Sequence, residues 1–236
     1  MKKDYLNIAE HYELKLKEHG PGHAGMDWPN EEDLATRFEV MMDLVSYNEY
    51  TGSRREEALA TKTKSERYSR KNFQAQNKKI HLLDLGCGSG LLVDHLKKTN
   101  QLYKYNYHGV DISNEMIKVA KERLPSHKFE VRDILKQPLE SQSYDFVIMN
   151  GVMTEKVSLG YDDMVRFATS MISAAFSSCS KGIAFNVMST HVDWKRDDLF
   201  HWPHDEAAAF LRNNCSRHFV FRNDYGLYEY TTYVLR

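Results

Sequence analysis

The stretch that most constrains this chain is Ile80–Gly90, which reads Ile-His-Leu-Leu-Asp-Leu-Gly-Cys-Gly-Ser-Gly. A short apolar run ends in three glycines that alternate with small residues, and Asp84 stands two positions before the first of them. This pattern predicts a buried strand that turns sharply into a helix. Gly86, Gly88 and Gly90 let the backbone take positive φ and let a ligand lie directly on the main chain. The unpaired N–H groups of the following helix face the same point. A site for a nucleotide or nucleoside is the expectation.

The 236 residues suffice for one α/β domain with an added segment, and two full domains are not expected. A net charge of −1 gives the whole molecule no electrostatic pull on nucleic acid or on an anionic membrane. The start, Met-Lys-Lys-Asp-Tyr-Leu-Asn, has no apolar core behind its lysines, and no long apolar run follows elsewhere. The expectation is a cytoplasmic protein with no membrane span. Cys87, Cys179 and Cys215 are an odd number, widely spaced and without zinc-ligand spacing, so neither structural disulfides nor zinc are expected.

Residues 3–18 place Tyr5, Ile8, Ala9, Tyr12 and Leu16 on one helical face. The glycine- and proline-rich segment 19–30 carries His23, Asp27 and Trp28. It reads either as a connector whose tryptophan plugs the core or as a lid over the ligand. Asn30 is a good cap for a helix with Glu31, Glu32 and Asp33 in its first turn and Leu34, Phe38, Met41, Met42 and Val45 on one face. Residues 52–79 carry nine lysines and arginines against three glutamates. That stretch reads as a solvated connector, or alternatively as a patch for RNA or an acidic substrate. The expected organisation is therefore a helical cap with a basic connector over 1–79, followed by a ligand-binding domain over 80–236.

From residue 80 strands and helices alternate, which predicts a mainly parallel sheet covered on both faces. Strands are expected at 80–85, 107–111, 129–131, 145–149 and 183–188. The intervening helices are one beginning near Gly90, one capped by Ser113 and one over about 161–177, and a short helix over 206–213 is capped by Asp205. Two β-rich runs, 218–222 and 229–235, flank Asn223-Asp224-Tyr225-Gly226 and predict a closing antiparallel hairpin.

The glycine spacing is G-x-G-x-G, not the G-x-G-x-x-G of dinucleotide-binding folds. Asp111 ends the second strand, 25 residues after Gly86, where a carboxylate can accept both hydroxyls of a ribose. Asp133 ends the third strand and can accept from an adenine amino group. All three signals fall at the C-terminal ends of successive strands, where open α/β sheets bind ligands.

With L-D-L-G-C-G-S-G followed by G-V-D-I-S, V-R-D-I and Y-D-F-V-I-M-N-G, the chain resembles the class I S-adenosylmethionine-dependent methyltransferases over about residues 78–236. The resemblance implies a three-layer, Rossmann-like, seven-stranded, mainly parallel sheet with an antiparallel last strand, here preceded by an N-terminal helical cap. It implies S-adenosyl-L-methionine as cofactor. Asp84, Gly86, Cys87, Gly88 and Gly90 would surround its methionine part and ribose, Asp111 would hold the ribose hydroxyls, and Ile112 would belong to the same cofactor-binding set. Asp133 and Ile134 would flank the adenine, with Asn150 near the donor methyl. The segment around Gly25-Met26-Asp27-Trp28 also resembles a subgroup of small bacterial enzymes of this class with a G-x-D-W segment.

Such a site supports in-line displacement, with the protein orienting donor and acceptor and excluding water. A base is useful where the acceptor must lose a proton. The segment after the fifth strand concentrates His191, Asp193, Trp194, His201, Trp202 and His204. From it come His191 as the candidate base and Trp194 and His201, with Trp28, as candidate acceptor contacts. No third ligand stands at suitable spacing from His191 and Asp193, so no metal is expected. The expected acceptor is a small molecule methylated on oxygen or nitrogen, with nucleic acid disfavoured and a monomer or homodimer as the assembly. The rivals are an RNA or protein methyltransferase that uses the basic arm, and a module that binds S-adenosylmethionine without transfer chemistry.

Overall fold

A computed structural model describes residues 5–62 and 79–236. Its centre is a seven-stranded sheet of β1 (Ile80–Leu85), β2 (Tyr105–Asp111), β3 (Lys128–Val131), β4 (Tyr144–Met149), β5 (Cys179–Met188), β6 (Phe219–Arg222) and β7 (Glu229–Leu235). The order is β3-β2-β1-β4-β5-β7-β6. Pairings from β3 through β5 are parallel, and β7 runs antiparallel to both β5 and β6. The expected hairpin thus forms as a β6–β7 pair, with β7 inserted beside β5.

The period-2 alternation of the strands sorts side chains to two apolar layers. Leu82, Phe146, Ile148, Ala184, Tyr233 and Leu235 face one layer, which they share with α2 (Glu31–Lys62), α3 (Leu91–Lys98) and α4 (Asn114–Arg123). Leu83, Leu85, Val147, Met149, Ile183, Phe185 and Val187 face the other, packed by α5 (Tyr161–Ser178) and α6 (His204–Asn214). The first helix, α1 (Leu6–His19), contributes Ile8 to that second layer and continues over the C-terminal ends of the strands.

Local signals set most boundaries. Asn30 Oδ1 accepts from the Asp33 amide at 2.7 Å to start α2, and Ser113 Oγ accepts from the Met116 amide at 3.1 Å to start α4. Strands β2 and β5 begin two and four residues before the expected starts, and two helix boundaries also differ from expectation. Helix α2 runs on to Lys62, ten residues and more into the stretch read as a connector; the rest of that stretch, 63–78, with the reading of it as a basic arm, lies outside the described residues. Helix α6 starts at His204 behind Pro203, so Asp205 lies inside the first turn and caps nothing. A proline with φ of −61° and no N–H to leave unsatisfied begins a helix without a side-chain cap. Among the described residues no helix is long and apolar enough to cross a membrane, and the three cysteines are free thiols.

Candidate active site

A cavity lies where β1, β2, β3 and β4 end, with about 1090 Å³ of empty space, its open mouth included. Its floor is the turn after β1. Gly86 and Cys87 donate their amides to the Val110 carbonyl at 2.7 and 3.1 Å, which folds the turn back onto β2. Gly88 has φ of +50°, and a Cβ there would stand 2.6 Å from Met26 Sδ. The positive φ favours glycine there, and any side chain would displace the Met26 thioether.

Three carboxylates stand around the turn. Asp84 is buried, accepts from Tyr107 Oη at 2.7 Å, and is pushed up to about 7, chiefly by burial, with a smaller contribution from the Asp111 charge. Asp111 receives the Gly88 amide on Oδ2 at 2.8 Å and the Ser113 amide on Oδ1 at 2.9 Å. Burial pushes its carboxyl up, against those backbone donors. Asp133 accepts from Tyr5 Oη at 2.8 Å and pairs with Lys136 Nζ at 2.5 Å. Burial opposes its ionisation, but Lys136 and Tyr5 outweigh it and hold the carboxyl below the usual range.

The roof comes from the N-terminal segment. Tyr5, Ile8, Ala9 and Tyr12 line the cavity from α1, and Met26 and Trp28 line it from the following loop. Polar contacts pin this roof to the strand ends: Ser113 Oγ donates to Glu13 at 2.5 Å, Ser89 Oγ to the Pro21 carbonyl at 2.8 Å, and Tyr12 Oη to the Gly151 carbonyl at 3.4 Å. Of the two readings of segment 19–30, the geometry matches a cover: the Trp28 ring lies over Gly151, where a Cβ would meet Cζ2 at 2.6 Å.

Of the residues singled out from sequence, Asp84, Gly86, Cys87, Gly88, Asp111, Ile112, Asp133, Ile134, Asn150 and Trp28 converge on this one cavity. Gly90 does not line it and instead precedes α3 with φ of +85°. The structure does not bring His191, Trp194 or His201 there. His191 is exposed with its ring 5.4 Å from that of His204, Trp194 is 42% exposed against Tyr228, and His201 Nδ1 lies 2.6 Å from the Ser189 carbonyl. The cause is the path of the chain after β5. His201 bridges Met188, Trp202 is buried, and Tyr230 Oη donates to the Trp202 carbonyl at 3.1 Å, so the segment folds down along β5 and β7.

Sequence reasoning missed Tyr5 and Tyr12 as cavity walls, and a buried network behind the β4 turn. Asn186 Oδ1 accepts the Gly151 amide at 2.8 Å, its Nδ2 donates to Glu229 at 2.9 Å, and Glu229 pairs with Arg37 at 2.9 Å. The Arg37 guanidinium lies 4.2 Å from the centroid of the Trp28 ring. One signal was available: Asn186 interrupts the otherwise apolar run 183–188 and is fully buried.

A family model described as a methyltransferase domain matches residues 76–202. The chain belongs to this methyltransferase domain family. The match spans β1 to the segment after β5 and so includes the glycine turn and the acids at 84, 111 and 133. Among curated proteins the methyltransferase is 28% identical over 158 residues to the Mycobacterium tuberculosis protein Rv1506c, by name a methyltransferase, covering 64% of this chain and 90% of that one. It is 33% identical over 124 residues to a malonyl-[acyl-carrier protein] O-methyltransferase of Bacillus anthracis, covering 51% of this chain but only 42% of the other. Among solved structures it is similar to the magnesium protoporphyrin IX methyltransferase of Synechocystis PCC 6803. With SAM bound to that enzyme the TM-score is 0.55 at 14% identity over 100% of this chain and 98% of that one. With SAH bound it is 0.57 at 14% identity over 99% and 100%. At this identity the likeness is one of fold.

Proposed function

We propose that this methyltransferase transfers the methyl group of S-adenosyl-L-methionine to an oxygen or nitrogen of a small-molecule acceptor. The observation that carries the reading is the convergence of Asp84, Asp111, Asp133 and Asn150 on one glycine-floored cavity under a covering helix. The residues fit the cofactor. Each Asp111 oxygen already holds one backbone amide, and a carboxylate oxygen with two acceptor positions retains capacity for a ribose hydroxyl. The buried Oδ1 of Asn150 has no hydrogen-bond partner among the described residues and awaits a donor.

In this reading Asp111 orients the ribose, Ile112 and Ile134 sandwich the adenine, Asp133 accepts from its amino group, and Asp84 with the glycine turn holds the methionine portion. When bound, the cofactor supplies an electrophilic methyl group. The chain's part is to fix the angle of approach and to exclude water, for which the apolar Ile8, Met26 and Trp28 roof is suited. A small acceptor is favoured because the cover over the β4 end is pinned at several points, which narrows access to the cavity on that side.

Isothermal titration with S-adenosylmethionine, followed by mass-spectrometric detection of methylated products across hydroxyl, carboxylate and amine acceptors, tests the reading. Stoichiometric binding with transfer to one acceptor class supports it. Absence of binding to the full chain would sink it.

A further inference from the structure

Beside the cavity, on its β4 side, three side chains from three separate segments converge. His11 comes from α1, Asp27 from the loop after it, and Glu155 from the stretch after β4. His11 Nε2, an Asp27 oxygen and a Glu155 oxygen all lie within 4.8 Å of one another. His11 Nε2 stands 2.9 Å from Asp27 Oδ2, and Lys15 Nζ takes the other Asp27 oxygen at 2.9 Å.

Glu155 makes this more than a surface cluster. Only 9% of the residue is exposed, and its carboxylate is brought against His11 and Asp27. A largely buried carboxylate beside a second carboxylate is stabilised by a cation held between them. The backbone around it is fixed, because the Phe200 amide donates to the Thr154 carbonyl at 2.8 Å and Glu155 bridges Leu199.

We infer that His11, Asp27 and Glu155 form a binding site for a divalent metal ion, set against the β4 end of the cavity. One imidazole nitrogen and two carboxylate oxygens are a donor set suited to Mn²⁺, Fe²⁺ or Zn²⁺. Ligand atoms on adjacent corners around such an ion lie about 3 Å apart when metal–ligand bonds are about 2.1 Å. His11 Nε2 and Asp27 Oδ2, which hydrogen-bond at 2.9 Å, are close enough to share an ion once the imidazole proton resides on Nδ1. Lys15 stays on Asp27 Oδ1 and fixes the ligand, as outer partners of metal carboxylates do. Sequence spacing carries no trace of the site because its ligands stand 16 and 128 residues apart in the chain. A role for the ion in drawing an acceptor oxygen towards the Gly151 turn rests on the function proposed above; its binding does not.

The test uses the full chain after treatment with a chelator, titrated with Mn²⁺ alone and followed by calorimetry and by the Mn²⁺ paramagnetic resonance signal. One saturable site is expected. His11→Ala and Glu155→Gln should each weaken it by more than the roughly 10–100-fold typical of losing an outer partner. Lys15→Ala should retain the site, and His191→Ala should leave it unchanged. Bound Mn²⁺ should also broaden the His11 ring resonances in the wild type, a readout that needs no variant to fold. Absence of saturable binding by the wild type, or undiminished binding by folded His11→Ala and Glu155→Gln, overturns the inference. S-adenosylmethionine titrated into the same preparations reports separately on the proposed function.

Discussion

Asp111 and Asp84 sit on neighbouring strands at the same end of the sheet, yet their environments assign them different parts. Asp111 is cross-braced by two backbone amides, so its oxygens are already aimed when a ribose arrives. Asp111→Ala should weaken S-adenosylmethionine binding by about 1–3 kcal/mol through a lost charge-assisted bond, as read by calorimetry. Asp84 is buried with only Tyr107 to serve it, and its carboxyl is pushed from 3.8 up to about 7. A folded-state value raised above the unfolded one means that the folded chain holds this proton more tightly. The contribution of Asp84 to stability therefore falls as pH rises from about 4 towards 7 and is level above that. Urea unfolding at about pH 5 and about pH 8 should show the wild type losing stability relative to Asp84→Asn, whose amide can still accept from Tyr107; equal differences at the two pH values would refute this account. Both acids were legible in the sequence because strand ends in an open α/β sheet are fixed by local pattern. His191, Trp194 and His201 were misplaced because their position depends on how a loop folds back over β5 and β7, which no short-range spacing records.

Helix α1 shows the same limit for a whole element. Its Tyr5, Ile8, Ala9, Tyr12 and Leu16 face is visible as an apolar stripe, and the first four of these residues turn out to line the cavity. Helical periodicity identifies the face that leaves water but not whether a core or a ligand receives it. The length of α2 was underestimated for a related reason: a highly charged stretch poor in large apolar residues extends a helix without displaying an inward face. The contact of the cover with the β4 turn is tested at Gly151. Its φ of +79° disfavours any side chain, and a Cβ would press on Trp28 at 2.6 Å. Gly151→Ala should cost about 1–2 kcal/mol from the left-handed backbone alone. It should also shift the tryptophan emission as Trp28 is displaced, and weaken cofactor binding. An unchanged emission spectrum with native affinity would mean that Trp28 does not close this end.

Across the whole molecule the β4 turn is tied to the far side of the sheet by one buried chain of polar groups. Gly151 is held by Asn186 of β5, Asn186 by Glu229 of β7, and Glu229 by Arg37 of α2, whose guanidinium backs the Trp28 ring. Arg37 and Glu229 are 192 residues apart and 7% and 1% exposed, so this ion pair forms only when the N-terminal helices and the last strand meet in the native structure. Such a pair contributes little net stability, because desolvation offsets most of the attraction. Removing one partner is another matter: Arg37 cannot lose its proton and would stay charged in an apolar layer. Glu229→Gln should therefore destabilise the fold by about 3–5 kcal/mol in urea unfolding. Arg37→Met combined with Glu229→Gln should recover much of that loss, since no charge is then stranded, and the coupling between the two sites should be strongly non-additive. The pair would then be judged by what it positions. The double variant should still bind S-adenosylmethionine more weakly than the wild type, because the Trp28 ring that covers Gly151 has lost the guanidinium behind it. Wild-type affinity in a stable double variant would show that the network serves folding alone.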